Sequence, residues 1–143
     1  MQISRQFGNT LREAPADADT IAHQLLVRGG CVDQLMAGVY SYMPLGRRVK
    51  QRIAQVIRGE MDHAGGQEVL LPTIQPVDIW EQSGRALSMA DVLFQLTDKR
   101  ERAMVLGPTH EAVITKLFQD HANSYRDLPV TLYQIQTKLR DET

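Results

Sequence analysis

The segment GPTHEAVIT sets a hydroxyl, Thr109, two residues ahead of a carboxylate, Glu111, where a helical pattern begins. Two chemistries fit that spacing. Thr109 can cap the helix and Glu111 can complement its dipole, together about 1–2 kcal/mol of stabilisation. Alternatively, both side chains point out of the helix mouth, where a hydroxyl and a carboxylate suit a protonated amine. The residues by themselves favour capping. A zinc reading of the THE triplet fails, because an HExxH pattern places its second histidine where Ile114 stands. His23, His63 and His121 lie at no metal-ligand spacing, so no metal site is expected.

A second constellation closes the chain. In LYQIQTKLRDET, Gln134, Gln136, Lys138, Arg140 and Glu142 alternate with Tyr133, Ile135, Thr137 and Leu139. Period two predicts a half-buried strand with one apolar and one polar face. Arg140 and Glu142 share the polar face about 7 Å apart. A guanidinium fork grips phosphate or carboxylate at about 1.5–3 kcal/mol per charge-assisted bond, and a carboxylate two residues on can accept from an amine. An anion site fits this face, without naming the anion; a merely wet face is the plainer alternative.

These residues need elements to position them. Residues 1–16 read as extended, and Asp17 and Asp19 sit where a helix start favours negative charge. A helix is expected over 21–27, ended by Gly29-Gly30, then a short helix over 31–37 and a strand in VYSYMP. Leu45, Val49, Ile53, Val56, Ile57 and Met61 recur at three- and four-residue steps, an amphipathic helix stopped at Gly65-Gly66. Strand EVLLP follows and breaks at Pro72. VDIWEQSG offers one or two helical turns. Runs 92–97 and 103–106 flank the charged turn DKRER as a hairpin. A helix starting after Gly107-Pro108-Thr109 shows Val113, Ile114, Leu117 and Phe118 on one face, and NSYRDLP leads into the last strand. The fold class is α+β.

Other features point to no chemistry. The glycine pairs match neither GxxxxGK[ST] nor GxGxxG and serve as helix caps. RRVKQR is a solvated helix face, and Trp80 and Tyr40 suit a core or interface better than a base-stacking platform. Sixteen Lys and Arg against 17 Asp and Glu give a net charge of −1, which excludes a global basic field for nucleic acid. Cys31 is the one cysteine, which favours a reducing compartment. The N-terminal stretch lacks the apolar core of a signal peptide, and no apolar run approaches the roughly 20 residues of a membrane span. A cytoplasmic protein is expected.

YQIQTKLRDE resembles motif 2 of class II aminoacyl-tRNA synthetases, and GPTHEAVIT resembles the proline-recognition element of bacterial-type prolyl-tRNA synthetases. The helix with QEVLLPTIQP is similar to motif 1 over about 45–72, and LREAPADAD, GVYSYMPLG and IWEQSGR match the same family in order. The likeness covers essentially all 143 residues. It implies an incomplete class II catalytic domain, an antiparallel sheet flanked by helices. The recognition loop would be 107–112 and the first strand of motif 2 would be 130–142. The implied activity is a proline–tRNA ligase of protein biosynthesis: ATP-dependent formation of prolyl-adenylate and transfer to tRNA(Pro). ATP with Mg²⁺ is a substrate complex, and no prosthetic group is implied.

By the same resemblance, Thr109 and Glu111 hold the imino group of proline, which displaces the capping preference without excluding it. Arg140 contacts the proline carboxylate and the ATP α-phosphate as the catalytic cation. Glu142 positions ATP, and Pro72 faces a second subunit in a homodimer built on motif 1. Ala112 departs from the second acidic residue usual after Thr-x-Glu. Motif 3 and the editing and anticodon-binding domains are not represented in the 143 residues, so the isolated chain is expected to be inactive. The alternative is a truncated, non-catalytic paralogue that acts as a dimerisation or regulatory module.

Overall fold

A computed structural model describes residues 5–16, 18 and 20–141. The chain divides into two compact units, 1–59 and 60–143. In the first, helix α1 (Ile21–Arg28) starts on Thr20, whose hydroxyl accepts from the His23 N–H at 3.2 Å. Asp17 and Asp19, expected at this helix start, lie outside the described residues. Gly29 caps the helix, and Gly30 takes the left-handed conformation (φ 63°) that lets the chain turn away.

Residues 31–37, expected to be helical, instead form strand β1 (Val32–Met36), antiparallel to β2 (Val39–Tyr42). Gly38 supplies the positive φ of 74° that a tight hairpin requires, and the register slips between Gln34 and Met36. Cross-strand pairing with the VYSY run outweighs a local pattern too short to hold a helix by itself.

Helix α2 (Pro44–His63) follows the predicted stripe over its whole length. Its one buried residue is Gly46, packed so closely on Cys31 that a Cβ there would overlap the Cys31 carbonyl oxygen. That carbonyl also accepts from the Met43 N–H at 3.0 Å. The apolar stripe is otherwise uncovered: Leu45, Val49, Ile53, Val56 and Ile57 are all exposed, Val49 at 50% and Val56 at 68%.

The second unit holds β3 (Gly66–Glu68), β4 (Ile74–Pro76), α3 (Val77–Gln82), α4 (Arg85–Ser88), β5 (Gln95–Thr97), β6 (Ala103–Leu106), α5 (Glu111–His121) and β7 (Thr131–Tyr133). The hairpin over DKRER is present: β5 and β6 pair antiparallel, and β4 adds antiparallel to the other side of β6. The α+β expectation holds, with one difference from a wholly antiparallel sheet. β3 and β7 pair in parallel, with Gly66 opposite Thr131. Trp80, Leu93 and Val105 form the core, with Val77, Ala86 and Met89 against them, so Trp80 is a core residue.

Among the described residues of the expected 130–142 strand, Thr131–Tyr133 alone join a ladder. Beyond Tyr133 the Val69 N–H still reaches the Tyr133 carbonyl at 2.9 Å. At the next step a side chain takes over. Gln136 Oε1 accepts from the Leu71 N–H and Gln136 Nε2 donates to the Leu71 carbonyl, both at 2.9 Å. The amide imitates a strand partner where main-chain pairing has lapsed.

Candidate active site

The loop 107–111 is fixed by buried amides and imidazole. Gly107 donates its N–H to the Thr73 carbonyl at 2.7 Å, and Gly107 and Pro108 are both buried. Gln75, in β4, is 0% exposed. Its Nε2 donates to the Thr109 carbonyl at 3.1 Å, and its Oε1 accepts from Trp80 Nε1 at 3.0 Å. A buried amide with both ends engaged is rigid, because leaving either end unpaired costs about 1–3 kcal/mol. Thr109 is therefore held through its main chain.

The capping role considered for Thr109 is not the one observed. Helix α5 begins at Glu111, so His110 occupies the N-cap position and makes no side-chain cap bond. Its ring turns inward, 0% exposed, with Nε2 at 3.1 Å from the Pro72 carbonyl and 2.8 Å from Gln136 Nε2. Nδ1 has no hydrogen-bond partner. Glu111 does stand in the first turn of α5, as dipole complementation requires. Its Oε2 meets Arg85 Nη1 at 2.6 Å, with the two side chains 68% and 41% exposed.

The last segment comes to this loop. Leu139 donates its N–H to the Gly107 carbonyl at 3.1 Å, and Arg140 Nε donates to the Pro108 carbonyl at 3.0 Å. Asp141 donates its N–H to the Val92 carbonyl at 3.1 Å. Arg140 is thus bonded to the residue next to Thr109. Glu142 lies outside the described residues. Pro72 is exposed, and its carbonyl faces His110.

The polar face is not simply wet. Gln134, Gln136 and Lys138 are half-buried, and Lys138 Nζ donates to Gln134 Oε1 at 2.8 Å. Burial, and then the neighbouring Arg140 charge, hold the Lys138 ammonium below the ordinary lysine pKa. Burial lowers the His110 pKa as well, Lys138 adds to that, and the Pro72 carbonyl opposes it. The imidazole is therefore neutral at pH 7. Two cations on one short segment make this edge attractive to an anion. Among the described residues, no three His, Cys, Asp or Glu side chains gather as a metal site.

Composition and spacing singled out Thr109, Glu111 and Arg140 as candidates but did not reach Gln75, Arg85 or the contacts of His110 and Gln136. The partners of Gln75, His110 and Gln136 lie 26 to 65 residues away in the chain, apart from Trp80. One signal was available: a glutamine on the polar face of a strand with apolar flanks.

Residues 94–143 match the tRNA synthetase class II core domain (G, H, P, S and T). The chain is 57% identical over 142 residues to the proline–tRNA ligase of Dehalococcoides mccartyi strain 195, covering 99% of this chain and 25% of that protein. It is 52% identical over 142 residues to the proline–tRNA ligase of Moorella thermoacetica, again over 25% of that protein. The chain thus spans about a quarter of the length of the curated relatives it matches. Among solved structures, Giardia lamblia prolyl-tRNA synthetase in complex with prolyl-adenylate superposes with a TM-score of 0.72 at 26% identity, over 79% of this chain and 24% of that one. The RNA binding domain of threonyl-tRNA synthetase from Cryptosporidium parvum superposes with a TM-score of 0.71 at 26% identity, over 77% and 27%.

Proposed function

Since the chain belongs to the prolyl-tRNA synthetase family of class II aminoacyl-tRNA synthetases, we propose that it supplies part of a site that activates proline with ATP. Thr109 and Glu111 take the protonated imino group, and Arg140 takes the proline carboxylate and the α-phosphate. A carboxylate oxygen of proline attacks the α-phosphorus, the bond from phosphorus to the bridging oxygen breaks, and pyrophosphate leaves with its Mg²⁺. Arg140 stabilises the charge that builds on the five-coordinate phosphorus. Glu142 positions the adenine amine. The prolyl-adenylate then acylates tRNA(Pro).

The observation that carries this reading is the Arg140 Nε bond to the Pro108 carbonyl, which brings the anion-binding cation to the loop bearing Thr109 and Glu111. The Glu111–Arg85 pair supports it too: this carboxylate already accepts a cation. An exposed pair of that kind is worth about 0–1 kcal/mol, so a substrate amine displaces Arg85 at small cost. The test is proline-dependent exchange of pyrophosphate into ATP, by the chain and by the longest product of the reading frame containing it. Exchange only by the longer product supports the reading, whereas preference for another amino acid sinks it.

The exposed apolar face of α2 favours a homodimer, with Leu45, Val49, Ile53, Val56 and Ile57 as its seam and Pro72 facing the partner. The same face serves a non-catalytic dimerisation module if exchange is lacking throughout. Among the described residues, no helix is long and apolar enough to cross a membrane.

A further inference from the structure

Three stretches of main chain meet at one imidazole nitrogen. His110 Nε2 lies 3.1 Å from the Pro72 carbonyl and 2.8 Å from Gln136 Nε2. Gln136 is at the same time clamped to both main-chain groups of Leu71 at 2.9 Å. His110 itself sits between Thr109 and Glu111, and Gln136 sits four residues before Arg140. We propose that His110 and Gln136 are positioning residues of the proline site, fixing the Thr109–Glu111 loop relative to the segment that carries Arg140. This rests on the proline-activating reading above.

The hydrogen-bond inventory supports the assignment. The Leu71 N–H fixes Gln136 Oε1, so the Gln136 amide nitrogen must face the imidazole. In the Nε2–H tautomer, His110 donates to the Pro72 carbonyl, Nδ1 keeps an unpaired lone pair, and the Gln136 amide meets Nε2 donor to donor. In the Nδ1–H tautomer, Nε2 accepts from Gln136, and the buried Nδ1–H goes unpaired. Protonation leaves Nδ1–H unpaired and Gln136 facing a donor, and it places a buried charge near Lys138, in line with the lowered pKa. The ring thus works as a neutral spacer between Pro72 and Gln136 and touches no substrate. The backbone needs the link held, because Leu139 and Arg140 bond to the Gly107 and Pro108 carbonyls and would drift with it.

The substitution His110→Gln keeps a nitrogen near the Nε2 position, whereas His110→Asn stops short of it. In the longest product of the reading frame, H110N should raise the KM for proline about tenfold, and the KM for ATP, which shares only Arg140 with this link, by clearly less. H110Q should restore the proline KM. In the 143-residue chain, hydrogen exchange at the Leu71 and Leu139 amides should quicken in H110N and return in H110Q. If H110N does not fold, Gln136→Met, which keeps length and loses the amide, carries the same expectations. A wild-type proline KM in H110N with unmoved amides overturns the proposal. So does an equal rise in both KM values that Gln does not rescue. Absence of proline-dependent exchange in the wild type, with the amides still responding, overturns the functional reading and leaves the positioning intact.

Discussion

Replacing Gly107 with alanine tests the packing that holds the candidate site. Gly107 is not among the glycines with positive φ, so alanine is conformationally permitted there. Restricting the unfolded chain would by itself stabilise by about 0.4–1 kcal/mol. Sterics reverse the sign. A Cβ at 107 would overlap Gln75 Nε2, approach Gln75 Cδ to 3.1 Å and come within 3.3 Å of His110 Cε1. A glutamine tip usually swings aside, but this one is fully buried and bonded at both ends, to Thr109 and Trp80. Moving it overpacks the site, at about 1–3 kcal/mol, and unpairs at least one buried group, at about 1–3 kcal/mol more. The expected loss is about 2–5 kcal/mol, a large share of the 5–15 kcal/mol typical of a domain. Urea denaturation followed by circular dichroism measures it; with a slope of about 2 kcal/mol/M the midpoint falls by about 1–2.5 M. A variant as stable as the parent, or more so, would refute the argument, since backbone entropy alone would then govern the position.

Four other outcomes are expected. Trp80→Phe leaves Gln75 Oε1 buried without its donor and should cost about 1–3 kcal/mol by the same denaturation assay. Glu111→Gln breaks an exposed pair, so stability should change by less than about 1 kcal/mol, while the KM for proline in pyrophosphate exchange rises at least about tenfold. Val49→Glu with Ile53→Glu places charge on the uncovered face of α2, and sedimentation should show any dimer reverting to monomer without a fall in helix content. His110 binds its proton more weakly when folded, so its contribution is full above its ordinary pKa of about 6.5 and is lost as pH falls through the lowered folded value. Stability should therefore drop on acidification from pH 7 by more in the wild type than in His110→Gln, measured by paired urea titrations.

Periodicity located what local burial decides. The long stripe of α2, the hairpin around DKRER and the helix after Thr109 were all legible because one face of each repeats at helical or strand spacing. Segment 31–37 was not, because its helix-like pattern is overruled by a partner strand beyond Gly38. The regular strand beyond Tyr133 was overestimated: alternation persists in the letters, but the Gln136 side chain replaces the main chain as the partner of Leu71. Within the site, Thr109, Glu111 and Arg140 were recognisable by chemical type. The buried links behind them were not, since no spacing rule connects Gln75 to Thr109 or His110 to Pro72. Local chemistry also misjudged the cap, given to Thr109 although the helix starts a residue later than that role requires.

The seat of α2 on Cys31 has a further consequence. Where peptide rests on peptide with no side chain between, the separation is set by van der Waals contact of main-chain atoms and cannot be tuned by repacking side chains. A saturation library at position 46 should therefore keep a single survivor. The outward stripe, three turns along, has no such stop, so its residues can be exchanged for other shapes while the first turn of the helix keeps its anchorage.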